Sequence, residues 1–413
     1  MQVMCANLSI IIKFAQFSGK KCMFYKRDIQ KALLRFAKFP VVAILGPRQA
    51  GKSTLARHAF KKYTFVSFDD LQILAYFKED PKGFFKRYEN EYGIIIDEFQ
   101  NAPELLSYIK VIVDEKHRPG YFVLTGSQNY LMNPAITQSL AGRVGILTLL
   151  PLSINEMISN KLVKSLDETI FNGAYPRLYA DKFSPLDAYP SYIHTYIERD
   201  VRQLTKVGDI RVFQKFMALC AGRVGQQLNI EDIATNCGVE RKIINQWLSV
   251  LEASYIIFLL CPYFKNFNKR ITKTPKLYFY DTGLACSLLG LRSSKDIAHS
   301  PFRGSLFECL IISDFYKQYY NIGRRPPLYY WRDQNGRIEI DCLIDKGISL
   351  IPIEIKSGQT IVSDYFDTIK KWNELTESTS SSSYIVYAGS LVQNRSLAAV
   401  LGWEAAGDLI KKI

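Results

Sequence analysis

The chain has 413 residues, with 53 Lys plus Arg against 39 Asp plus Glu and a formal net charge of +14. Its 48% hydrophobic and 22% charged residues exclude a disordered, collagen-like or disulfide-stapled chain, and the length suits about three domains. The surplus of positive charge points to a polyanionic partner, nucleic acid before membrane, with an ordinary basic surface as the alternative.

Residues 1–22 contain a short apolar run, Leu8 to Ile12, that is cut by Lys13 and lacks a leading basic region and a cleavage site. It reads as neither a signal peptide nor a membrane span. Met23 opens a basic, helix-like stretch, so 1–22 is treated as an N-terminal extension, with either Met1 or Met23 as the start. The eight cysteines include no Cys-x-x-Cys pair and read as reduced thiols of a cytoplasmic protein.

From Phe39 to Leu45 a continuous apolar run predicts a buried parallel strand, with a helix following from Lys52. Further strands are predicted at Thr64–Phe68, Gly93–Ile96 and Tyr121–Leu124, with helix-length segments such as Pro103–Glu115 between them. That alternation implies a parallel sheet covered by helices. Residues 153–213 read as a small helical lid. In 214–275, a helix at 230–234, a turn at Gly238 and a helix over Arg241–Tyr255 have helix-turn-helix spacing. Strand-like Ile256–Leu260 and basic Lys265, Lys269, Arg270, Lys273 and Lys276 then suggest a wing. Arg241, Lys242 and Gln246 are candidate nucleic-acid contacts; a packing module is the other reading. In 276–413, a helix is predicted near Gly304–Tyr320, and strands at Leu328–Trp331, Arg337–Ile344, Ile348–Ile355 and Tyr384–Tyr387. The Ser-rich 377–383 reads as a loop.

Between the first strand and its helix stands Gly46-Pro47-Arg48-Gln49-Ala50-Gly51-Lys52-Ser53-Thr54, a complete phosphate-binding loop. Glycines let backbone N–H groups curl around phosphates, Lys52 can reach the β- and γ-phosphates, and the Ser53 hydroxyl can bind Mg²⁺. The run Ile94-Ile95-Ile96-Asp97-Glu98 places Asp97 to hold the Mg²⁺ shell and Glu98 to polarise an attacking water. No Asn-Lys-x-Asp element for guanine is present, which favours ATP. Thr125, Ser127 and Gln128 end the next predicted strand, as γ-phosphate sensors or as plain turn residues.

Together with Ala141-Gly142-Arg143-Val144, Pro151-Leu152-Ser153, the segment Pro275 to Leu284 and the segment Trp331 to Lys356, these motifs resemble one AAA-family group. It comprises bacterial and archaeal AAA ATPases with a C-terminal domain of unknown function, and the likeness spans about residues 23–413. The resemblance implies an AAA-type P-loop parallel sheet over 23–152, a helical lid, a winged-helix module and a nuclease-like tail. It also makes Arg143 a candidate charge-stabilising arginine; a surface cation is the alternative.

In the tail, Arg337–Ile344 alternates cleanly, and Glu354 and Lys356 share one face of the next strand. A hairpin register pairing 343 with 352 sets Asp341 opposite Glu354 and Glu339 opposite Lys356. Asp341 and Glu354 could then hold a second divalent metal while Lys356 activates a water. The pattern resembles the core of PD-(D/E)XK nucleases, α/β restriction-endonuclease-like domains, with Glu308 matching their helix-borne acid and Ile340 replacing the expected proline. Cross-strand Glu–Lys pairing on a solvated hairpin is the alternative.

The sequence thus predicts an ATP- and Mg²⁺-dependent ATPase that acts on DNA or another nucleic acid, not on a membrane, and is compatible with a homo-oligomer. The competing expectation is a nucleotide-dependent regulatory switch with protein partners and a non-cutting tail.

Overall fold

The computed structural model describes residues 23–127, 140–197, 209–263, 274–333, 336–376 and 383–413. The expectations for 1–22, for Gln128 and for Lys265, Lys269, Arg270 and Lys273 lie outside the described residues. The first five strands, β1 (Val41–Leu45), β2 (Thr64–Ser67), β3 (Ile94–Asp97), β4 (Phe122–Gly126) and β5 (Val144–Thr148), form one parallel sheet in the order β2-β3-β4-β1-β5. β1, β3 and β4 are buried along their whole length, which is why they read as unbroken apolar runs. The edge strand β5 alternates buried and half-buried residues and is not marked by such a run. Because β1 and β3 flank β4, Leu45 faces Gly126 and Asp97 faces Thr125, so three strand ends converge on one edge.

Next comes a helical layer. Ser153 opens the helix Ile154–Ser159 with a capping box closed by Glu156. Helices Leu166–Asn172, Pro176–Ala180 and Pro185–Tyr192 follow. After Ile210–Ala221, helices Ile230–Cys237 and Arg241–Ala253 are joined through Gly238, whose φ of 69° is the left-handed geometry that permits the tight turn. Strand β6 (Ile257–Leu260) then pairs antiparallel with β7 (Lys276–Phe279). The domain border expected at residue 276 therefore cuts a ladder: Leu260 faces Lys276, and β7 closes the helical module instead of opening the tail.

The tail begins with the long helix Arg303–Asn321 and continues through β8 (Leu328–Arg332), β9 (Glu339–Asp345), β10 (Leu350–Lys356), β11 (Tyr384–Tyr387), β12 (Gln393–Asn394) and β13 (Ala399–Gly402). These form a separate mixed sheet ordered β12-β13-β11-β10-β9-β8. Leu343 faces Pro352, the register that the alternation predicts. Helix Asp367–Thr376 makes the crossover between parallel β10 and β11. Among the described residues no helix is long and apolar enough to cross a membrane.

Buried polar groups stitch these parts together. Asp281, 1% exposed, accepts hydrogen bonds from the Ala174 N–H at 2.6 Å, the Tyr189 hydroxyl at 2.6 Å and the Leu284 N–H at 2.9 Å. On the long helix, Asp314 accepts from the Ile154 N–H at 2.6 Å and from the Gln318 amide at 2.6 Å. The Asp281→Ala substitution orphans the buried Ala174 and Leu284 N–H groups and leaves the Tyr189 hydroxyl only the Asn172 carbonyl, so it should destabilise the protein by about 2 kcal/mol or more. Chemical denaturation checks this; a loss within experimental error would show that the network contributes little.

Candidate functional site

The geometry of the phosphate loop is imposed by crowding at the sheet edge. A Cβ on Gly46 (φ 151°) would lie 2.0 Å from the Leu149 carbonyl oxygen, so only glycine fits after β1. Gly51, with φ 91°, starts the helix Lys52–Ala59. Lys52 is buried, and its ammonium donates to the carbonyls of Gly46 at 2.9 Å and Pro47 at 2.8 Å. The Ser53 hydroxyl donates to Asp97 Oδ1 at 2.6 Å, the Thr125 hydroxyl donates to the same oxygen, and the Ser67 hydroxyl reaches Asp97 Oδ2 at 3.4 Å. Asp97 is thus ringed by hydroxyls from two strand ends and one helix.

Glu98 adopts a left-handed backbone, φ 51°, directly after β3. Burial pushes its carboxyl above the usual range, an effect that nearby Lys52 opposes. The Gln100 amide donates to Glu98 and, at 3.1 Å, to Ser127, so the two strand ends share a polar bridge. Gln100 and Ser67 join the site through the fold; only the proximity of Gln100 to Glu98 in sequence hinted at either.

Beside the loop opens a cleft of about 400 Å³. Besides Arg48 to Thr54 and Glu98, it is lined by Met23, Phe24 and Tyr25 and by Pro176, Arg177 and Asp181. Phe24 is fixed by stacking on His58, rings 3.7 Å apart. Arg27 ties the loop to the chain beyond β5 and to the helical layer: its guanidinium donates to Ala50 O at 2.8 Å, Leu150 O at 2.6 Å and Glu156 Oε1 at 3.1 Å. No sequence motif flags Arg27, because its partners lie up to 129 residues away.

Arg143 is not at this cleft. Its backbone carbonyl accepts from the N–H of Val41, the first residue of β1, whereas the loop follows the last. Its guanidinium forms a two-pronged pair with Asp114 at 2.5 and 3.0 Å. The charge-stabilising role expected of it is therefore not met in its own chain's cleft.

The tail brings together Glu308, Asp341, Glu354 and Lys356. Among the described residues no group of three or more His, Cys, Asp or Glu side chains is arranged to hold a metal ion. The neighbours of the expected ligands Glu308, Asp341 and Glu354 are local. Lys276 inserts its ammonium 3.4 Å from Glu308 and 2.5 Å from Glu339, Lys356 lies 2.5 Å from Glu354 Oε1, and Asp341 accepts the Ile355 N–H at 2.8 Å. Burial, then the Asp341 charge, pushes Glu308 up to about 7 and Glu354 up to about 8.

A family model described as an AAA domain matches residues 38–158, and models for domains of unknown function match 163–295 (DUF8612) and 303–404 (DUF4143). Uncharacterized proteins of Mycobacterium bovis and Mycobacterium tuberculosis are each 30% identical over 361 residues, covering 86% of this chain and 78% of theirs. Among solved structures, a Walker-type ATPase of Pyrococcus abyssi aligns at 15% identity over 65% of this chain and 97% of its own, TM-score 0.43. A RuvB variant of Thermotoga maritima aligns at 17% over 56% and 85%, TM-score 0.27.

The Glu354 shift gives a pH signature. A carboxyl whose folded value rises from 4.5 to about 8 binds more protons in the native than in the unfolded state, so its contribution is lost as pH rises through that window. Relative to Glu354→Gln, the wild type should lose stability between about pH 5 and about pH 8. Parallel denaturation curves for the two proteins at both pH values would contradict this.

Proposed function

The chain belongs to the AAA-family P-loop ATPases that carry a C-terminal DUF4143 domain, and from that premise we propose how it holds ATP and that it acts on nucleic acid. The family's chemistry is nucleotide binding and hydrolysis. The observation that carries the site assignment is the meeting of Lys52, Ser53, Asp97 and Glu98 at one sheet edge, beside a cleft of nucleotide size.

In this reading Gly46 to Thr54 wraps the phosphates with backbone N–H groups, and Lys52 exchanges the Gly46 and Pro47 carbonyls for phosphate oxygens. The Ser53 hydroxyl and Asp97 carboxylate are hard oxygen donors 2.6 Å apart, a pair that fits Mg²⁺. Bound there, the ion would neutralise phosphate charge. Glu98, steadied by Gln100, is placed to orient and polarise the attacking water; Thr125 and Ser127 stand at the γ-phosphate end. The apolar and aromatic wall Met23–Tyr25, facing Pro176 and Arg177, takes the adenine.

Nucleic-acid action rests on the second helix of the helix-turn-helix, the core of a winged-helix reading. Arg241, Lys242 and Gln246 are all exposed there, while Ile244, Trp247 and Leu248 are buried beneath. The tail's order of helix, three strands, helix and strand supports the nuclease-like resemblance. A second reading, a nucleotide-dependent switch with a non-cutting tail, is favoured by one observation: Lys276 inside the carboxylate cluster.

Two measurements test these readings. Lys52→Ala should lower ATP hydrolysis by about a hundredfold or more; unchanged turnover would remove the site assignment. Duplex DNA binding should weaken steeply with salt, and the Arg241→Ala, Lys242→Ala double variant should reduce the log–log slope by roughly two. Absence of binding at low salt would favour the protein-partner switch.

A further inference from the structure

Four carboxylates and three cations meet at the head of the tail sheet. Glu308 comes from the long helix, Glu339 and Asp341 from β9, and Glu354 from β10; they are met by Lys276, Arg332 and Lys356. Lys276 is the unusual member. It is 3% exposed, lies 2.5 Å from Glu339 and 3.4 Å from Glu308, sits 5.4 Å from the Tyr330 ring centroid, and also feels the Asp341 charge. A buried ammonium so placed does what a bound cation would do: it relieves repulsion among neighbouring carboxylates.

Its backbone does not belong to the tail. Lys276 opens β7, pairs with Leu260, and bridges to Gln227 next to the helix-turn-helix. From that same segment Gly225 covers Glu308: a Cβ there would lie 3.4 Å from a Glu308 oxygen. The Tyr278 hydroxyl on β7 also donates to Glu308. One strand of the helical module therefore supplies both the counter-charge and the cover of a tail cluster. Meanwhile Glu354, 3% exposed, keeps one carboxylate oxygen, Oε2, with no hydrogen-bond partner among the described residues. A buried carboxylate oxygen with no donor is unusual, and it is a vacancy that a cation can satisfy.

We infer that Lys276 is a tethered cation that keeps a latent divalent-cation site closed, the site comprising Glu308, Asp341 and Glu354. While the ammonium is in place, an incoming ion meets two resident cations, Lys276 and Lys356, at hydrogen-bond range of its ligands Glu308 and Glu354, and the cluster rejects it. Without the ammonium, the carboxylates are left with excess negative charge and open to a divalent ion. The inference concerns the tail alone and stands whether or not the ATP reading holds.

Mn²⁺ titration of the full chain without nucleotide, followed by electron paramagnetic resonance of the free ion, tests it. The wild type is expected to show no Mn²⁺ binding that Asp341→Asn removes. Lys276→Met is expected to gain such binding, about tenfold or more tighter than any in the wild type. The gain should vanish in the Lys276→Met, Asp341→Asn double variant. Lys276→Gln, which keeps a polar end group, serves as a second variant should the methionine protein fail to fold, with circular dichroism and a cooperative thermal transition as the check of folding. Asp341-dependent Mn²⁺ binding by the wild type would overturn the inference, as would folded Lys276 variants that gain none.

Discussion

The nucleotide cleft depends on one buried ion pair, Arg27 with Glu156. Arg27 spends its guanidinium donors on three separate segments: the phosphate loop at Ala50, the chain beyond β5 at Leu150, and the helical layer at Glu156. Glu156 in turn accepts the N–H groups of Asp28 and Ser153. Desolvating both charges is costly, and the cost is offset only because nearly every donor and acceptor finds a partner. The same completeness makes the arrangement rigid. A shift of the loop alone would deprive the buried guanidinium of the Ala50 carbonyl.

From that pair a line of buried polar groups runs into the tail. Glu156 caps the helix whose Ile154 N–H is held by Asp314, and one turn along the long helix Gln318 binds the Ala406 carbonyl and the Ile410 N–H. Burial pushes Asp314 up to about 6 and pulls Lys317 down, while the charges of Asp281 and Asp314 support Lys317. Asp281 holds the Ala174 N–H, two residues before Pro176 on the cleft wall. Arg303, at the start of the long helix, reaches both Asp167 in the helical layer and the Ser357 carbonyl after Lys356. The helical layer beside Pro176 is thus tied to the helix that also carries Glu308.

The parts legible in the sequence are those that local geometry dictates. Gly46 to Thr54 is readable because a loop that curls around phosphate restricts residue type position by position. The register of β9 on β10 is readable because period-two alternation and a short connection leave little freedom. The edge strand β5 and the short β12 and β13 carry too little pattern. Arg27, Asp281 and Lys276 were beyond reach for another reason: each acts through partners brought near by tertiary packing, and an isolated Arg, Asp or Lys carries no periodicity. The border at 276 failed in the same way, since Lys276–Phe279 looks like the first strand of a new unit until its ladder with β6 is seen.

The +14 charge conceals two acidic centres with different neighbours. Around Asp97 stand the hydroxyls of Ser53, Ser67 and Thr125, which are neutral and can donate to the carboxylate or turn a lone pair towards a cation. Such a centre accepts a divalent ion with little reorganisation of charge. Around Glu308, Glu339 and Glu354 stand ammonium and guanidinium groups, which have no lone pair to offer a metal and can make room only by moving away. The distinction lies in the partners rather than in the carboxylates. It makes the first centre ready for a nucleotide-bound cation, and it makes the second conditional on where the helical module places one strand.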